Sequence, residues 1–129
     1  MQYLLMCCFD ERAWERIPGP QRDALMRDYG EFVRGLAQSG CLRAGAKLGP
    51  SATATTVRVR DGKAVVTDGP FAETKEQLGG YHLVECRDLD EAIAIASRIP
   101  TLPFGGSVEV RPLEALEDPG ARIVAERAA

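Results

Sequence analysis

Apolar positions crowd the start of the chain, where residues 2–9, Gln-Tyr-Leu-Leu-Met-Cys-Cys-Phe, form an almost unbroken run of strand length. A run of that kind predicts a strand in the middle of a sheet rather than at its edge. Asp10 to Pro20 is polar and closes with Pro18-Gly19-Pro20, so it reads as a connection whose last proline opens a helix. From Gln21 to Ser39 the apolar spacing lengthens to three and four: Leu25, Tyr29, Phe32, Val33 and Leu36 share one helical face, and Gly40 stops it. Cys41 to Leu48 then reads as a strand weakened by Gly45. Residues 54–60 alternate and are rich in β-branched side chains, Asp61-Gly62 signals a two-residue turn, and Ala64 to Thr67 is the return strand.

Alternation resumes at Gly80–Cys86, with Tyr81, Leu83 and Glu85 on one face and His82, Val84 and Cys86 on the other. Asp88 is placed to cap a helix that begins with Leu89-Asp90-Glu91-Ala92 and runs to Ile99, where Pro100 ends it. Ser107 to Arg111 is the last strand. The order is strand, helix, strand, hairpin, strand, helix, strand. Setting the hairpin aside leaves β-α-β-β-α-β, a ferredoxin-like α+β fold with two helices on one face of an antiparallel sheet. The other sheet face is left bare, and a second copy of the chain is the simplest cover, which predicts a homodimer.

With 129 residues the chain suits one domain, read as residues 1–115, followed by a tail, 116–129, that could form a short helix. A net charge of −3 gives no basic footprint, so nucleic acid is not expected as a partner. No segment reads as a membrane span or a signal peptide. The four cysteines, at 7, 8, 41 and 86, form no CxxC pair and the single histidine has no metal-type partner nearby in sequence. Neither metal nor cofactor is expected, and the cysteines read as small buried hydrophobes in a reducing cytoplasm.

The longest connection, Thr67 to Tyr81, joins two strands that a simple hairpin would join with far fewer residues, which makes it the place to look for function. Asp68 could pin the turn through following backbone amides, or stand at a pocket rim as a general base. Phe71 reads as a wedge that packs the loop against the sheet or a partner copy. Glu73 and Glu76 would share one side if a helical turn formed, with Lys75 between them, and could then hold a cation or an amine. Tyr81 and His82 alternate across the following strand, and His82 could shuttle a proton. Gly79-Gly80 gives the backbone room for close approach.

These residues carry a likeness. Tyr3-Leu4-Leu5-Met6, Ala54-Thr55-Thr56-Val57-Arg58, Asp68-Gly69-Pro70-Phe71-Ala72-Glu73-Thr74-Lys75-Glu76, Gly79-Gly80-Tyr81 and Val108-Glu109-Val110-Arg111-Pro112 together resemble the YCII-related family, in its Asp-Gly-Pro-Phe branch. The resemblance implies a dimeric fold of the ferredoxin-like, α/β-barrel type. It also implies a histidine–aspartate pair in a pocket. Asp68 matches the motif aspartate, the helix carries no histidine, and His82 lies on a strand where the branch often has an aromatic. A homodimer follows that binds a small polar molecule near the loop, with Asp68 and His82 as catalytic candidates and Glu73, Lys75, Glu76 and Tyr81 as ligand contacts. The alternative that the resemblance implies is a non-catalytic regulatory module associated with an extracytoplasmic-function sigma factor.

Overall fold

The computed structural model describes residues 1–114. Its elements run β1 (Gln2–Phe9), α1 (Glu11–Arg16), α2 (Gly19–Gln38), β2 (Leu42–Lys47), β3 (Thr55–Arg60), β4 (Lys63–Asp68), β5 (Gln77–Glu85), α3 (Leu89–Ala96) and β6 (Ser107–Pro112). The opening apolar run is central as its composition requires: β1 lies between β5 and β6, and the sheet order is β2-β5-β1-β6. Every pairing in that sheet is antiparallel. With the β3–β4 hairpin set aside, this is the ferredoxin-like α+β arrangement. The domain limit at 115 and the tail 116–129 lie outside the described residues.

Two stretches depart from the sequence reading: β5 begins at Gln77, so the connection read as Thr67 to Tyr81 is only residues 69–76, and a helix forms after Asp10. The stretch after Asp10 is not merely a connection, because α1 forms there as a third helix. The Asp10 carboxylate accepts from the Arg12 amide at 2.9 Å, the Gln77 side-chain carbonyl accepts from the Glu11 amide at 2.9 Å, and Trp14 meets Phe9 edge-on at 6.0 Å. Six residues are too few for a helical apolar period to show in sequence. Elsewhere the expected devices operate. Asp88 accepts from the Glu91 amide at 2.9 Å, with Asp90 and Glu91 in the first turn where the helix dipole favours acids.

The pleat of β1 and β5 decides what is buried. Tyr3 pairs with Val84, Leu5 with His82 and Cys7 with Gly80, and these residues face the helices. Leu5, Val84 and Ile99 are fully buried, in a core with Tyr3, Leu36, Cys86, Ala92, Ile95 and Ala96. Each such large side chain contributes roughly 1.5–3 kcal/mol by leaving water. Leu4, Met6 and Leu83 alternate to the opposite face, are only partly buried, and have no place in that core. The bare face expected from the topology therefore carries an apolar stripe.

The hairpin is a separate two-stranded sheet. Its turn places Asp61 at φ 50° and Gly62 at φ 75°, the left-handed pair that a tight two-residue connection needs. Val57 pairs with Val66 and Val59 with Ala64, so one face of the ribbon is apolar. That face is open: Val57, Val59 and Val66 are 63%, 71% and 62% exposed. A two-stranded ribbon is marginal in water without such a face being covered.

Candidate functional site

The Asp-Gly-Pro-Phe segment is held by its neighbours rather than by its aspartate. Asp68 ends β4 opposite Thr55. Gly69 follows at φ 95°, its amide donating to the Ala54 carbonyl at 2.7 Å while its own carbonyl accepts from the Thr56 hydroxyl at 2.7 Å. Arg58 donates to the Phe71 carbonyl at 3.0 Å. The exposed Asp68 carboxylate makes no hydrogen bond among the described residues, so it does not pin this turn. Phe71 does not wedge against the sheet either, being 79% exposed.

No helical turn forms between Gly69 and Glu76, so Glu73 and Glu76 are not aligned by one. Glu76 accepts from the Ser107 hydroxyl at 3.0 Å and its carbonyl takes the Thr74 hydroxyl, while Gln77 donates to the Thr74 carbonyl at 2.6 Å. Glu73 and Lys75 are exposed and form no ion pair among the described residues. Where the loop re-enters the sheet, a side chain at Gly80 would place its first carbon 2.8 Å from the Ala46 carbonyl oxygen. The glycine lets β2 and β5 close.

His82 belongs to a different cluster. Tyr81 points to the bare face and His82 to the helix-covered one, where it is 7% exposed and is the single buried polar side chain among the described residues. The Tyr29 hydroxyl, carried by α2, lies 2.6 Å from His82 Nε2. Cys7 Sγ lies 3.6 Å from the same hydroxyl. Phe32 closes the group, its ring 6.0 Å from those of Tyr29 and His82.

The charge states follow from this setting. Burial pushes the Tyr29 phenol and the Cys7 thiol up and the His82 imidazole down, so all three are neutral near pH 7. His82 Nδ1 has no hydrogen-bond partner among the described residues. Tyr29 escaped the sequence reading as a chemical group because it sits in the apolar period of α2. The signal was its polar tip, which needs a partner once buried, and His82 is the polar residue on the inward face of β5.

The six candidate residues therefore divide among four places. Asp68, Glu73 and Lys75 stand on the exposed loop, Glu76 is tied to Ser107, Tyr81 faces the bare side of the sheet, and His82 lies under α2. No hydrogen bond joins Asp68 to His82. Two concavities lie beside the helices, one lined by Glu31, Phe32, Leu36 and Arg98, the other by Ile93, Leu102, Val108 and Val110, and neither includes the loop. Among the described residues no group of three His, Cys, Asp or Glu is placed to hold a metal ion, and no helix is long and apolar enough to cross a membrane.

The family model of the YCII-related domain matches residues 1–117. The chain belongs to the YCII-related domain family. An uncharacterized protein of Rhizobium meliloti (strain 1021) is 41% identical over 121 residues, which cover 93% of this chain and 97% of that one. Among solved structures, 5-chloro-2-hydroxyhydroquinone dehydrochlorinase (TftG) from Burkholderia phenoliruptrix AC1100, in complex with 2,5-dihydroxybenzoquinone, is similar to this YCII-related chain with a TM-score of 0.50. At 14% identity, over 91% of this chain and 97% of that one, the likeness is one of fold.

Proposed function

We propose that this YCII-related chain acts as a homodimer that binds a small polar molecule, with His82 and Asp68 as its acid–base groups. The observation that carries the reading is the 2.6 Å contact between Tyr29 and His82, which holds a buried imidazole by one nitrogen and leaves the other without a partner among the described residues. Burial disfavours the charged ring, so His82 offers a hydrogen bond rather than a positive charge. A neutral imidazole can donate to a ligand oxygen and stabilise the charge that develops there.

Asp68 takes the acceptor's part in this reading. Its carboxylate is not consumed in building the loop, which suits a group kept for a ligand. Glu73 and Lys75 beside it are likewise exposed and join the ligand contacts of the proposal, whereas Glu76 is tied to Ser107 and Tyr81 faces the side of the sheet opposite His82. The homodimer is supported by two apolar surfaces not fully covered by the described residues: the half-buried stripe of Leu4, Met6 and Leu83, and the exposed hairpin face of Val57, Val59 and Val66. That a dehydrochlorinase shares the fold supports small-molecule chemistry by analogy of architecture alone.

A thermal-shift screen of small hydroxylated and carboxylated compounds tests this reading, run on the wild type, His82→Gln and Asp68→Asn side by side. A compound that raises the melting temperature of the wild type and of neither variant supports it. Compounds that stabilise all three equally count against both residues. Sedimentation velocity on the wild type at micromolar concentration should give a species of twice the chain mass.

A further inference from the structure

The second concavity is an open, apolar groove on the helix side of the sheet, where α3 meets β6. Ile93, Ala96 and Ser97, from α3 and its C-cap, line it together with Leu102 and with Val108 and Val110 of β6, and its volume is about 220 Å³. Ile93 is 46% exposed, and Leu89, one turn earlier on the same row of α3, is 48% exposed. β6 is an outer strand of the sheet, so its far edge has no strand partner among the described residues. An open edge beside an apolar groove is a template for unwanted pairing, and proteins commonly cover such an edge with a helix or a loop.

The path of the chain selects the cover. The Cys86 amide donates to the Met1 carbonyl at 2.8 Å and the Leu113 amide to the Gln2 carbonyl at 3.0 Å, so β5 and β6 finish at the same end of β1. α3 begins just beyond Cys86 and runs back over the sheet, which brings its first turn and the last residues of β6 to one end of the molecule. Residues 115–129 continue from that point. Val108 and Val110 lie about 13–20 Å back along β6 from Glu114 at the rise of a strand, a distance that the link 115–120 can span when extended. In the continuing segment Leu116, Ile123 and Val124 are the bulky apolar residues, and Pro119-Gly120 is a reversal signal between them. An apolar cavity of about 150 Å³ takes a benzene-sized group, so this groove has room for the branched side chains of Ile123 and Val124 together. A short tether also holds the segment at an effective concentration on the order of millimolar, ahead of a second copy at micromolar concentration.

We propose that residues 121–129 fold back over the groove between α3 and β6 of their own chain, seating Ile123 and Val124 against Ile93, Leu102, Val108 and Val110. This clasp closes the apolar flank of α3 and the outer edge of β6. It leaves the opposite sheet face and the hairpin for a second copy, and it does not depend on the role given to His82.

Arg122 immediately precedes Ile123, so trypsin reads the docking at the segment itself. Cleavage there follows the population of the undocked form. In the full chain it should be at least about tenfold faster in Ile93→Asn than in the wild type, equivalent to roughly 1.4 kcal/mol of docking. Cleavage after the exposed Lys63 of the hairpin turn is the control and should not change. Equal rates after Arg122 in the two proteins overturn the clasp. A second measurement uses the wild type alone: nuclear Overhauser effects between methyl groups, with labelled chains diluted into unlabelled ones. The methyls of Ile123 and Val124 should contact those of Leu102, Val108 and Val110 within one chain. Absence of these contacts overturns the clasp, and contacts found only between labelled and unlabelled chains overturn it in favour of a second copy as the occupant. This measurement decides the matter if Ile93→Asn misfolds and the Lys63 control accelerates as well.

Discussion

Replacing Tyr29 by Phe removes one oxygen atom and leaves the ring in place between α2 and the sheet. The hydroxyl is the partner of His82 Nε2 at 2.6 Å and lies 3.6 Å from Cys7 Sγ. Losing it withdraws one neutral hydrogen bond, a net loss of about 1 kcal/mol. It also leaves His82, 7% exposed and already without a partner at Nδ1 among the described residues, with no described partner at either ring nitrogen. The desolvation cost of that orphaned nitrogen carries the expected total to about 1–3 kcal/mol. Urea unfolding followed by circular dichroism, at fixed protein concentration because the stability of the proposed dimer would depend on it, should show a lower midpoint with an unchanged slope. For a chain of 129 residues the equivalent fall in melting temperature is roughly 3–6 °C per kcal/mol. A loss below about 0.5 kcal/mol, the range of an ordinary surface substitution, would refute the claim that this hydrogen bond holds the imidazole.

Three further outcomes follow from the same structure. Gly80→Ala should destabilise by about 1–3 kcal/mol, because its added carbon meets the Ala46 carbonyl oxygen at 2.8 Å, a backbone atom that cannot swing aside, and chemical denaturation checks it. The lowered pKa of His82 sets a pH dependence: the unfolded chain binds the proton more readily, so stability is full above the unfolded pKa of about 6.5 and falls as pH drops below it towards the folded value. That slope in the urea midpoint should vanish in His82→Gln, and a slope that persists unchanged assigns the effect to other groups. Asp88→Ala should cost about 1 kcal/mol by uncapping α3 at the Glu91 amide, read as a lower melting temperature with the fold intact.

The topology was legible because it rests on signals that act locally. The apolar run 2–9, the alternation of 80–86 and the Asp61-Gly62 turn each force one conformation regardless of what packs on them, and each stands where expected. α1 was not legible, since its stability comes from a cap at Asp10 and from Gln77, a residue remote in sequence. The candidate site divides along the same line. Which way His82 and Tyr81 point follows from the period of a strand, and the structure places them so. That His82 meets Tyr29 depends on how α2 lies across β5, a tertiary fact that no spacing encodes. Asp68 was weighed as a turn pin because Asp before Gly so often is one. The backbone bond from Gly69 to Ala54 and the Thr56 hydroxyl do that work instead, and they lie on the far side of the hairpin.

The central claim is that His82 is a neutral, proton-handling group held by Tyr29. A pH titration of the single imidazole by long-range 1H–15N correlation tests it most directly. The expected result is a ring neutral through pH 7, with a pKa below the ordinary 6.5 and a tautomer preference lost in Tyr29→Phe. A ring that titrates at 6.5 or above, or whose neutral tautomer is the same in wild type and variant, contradicts it.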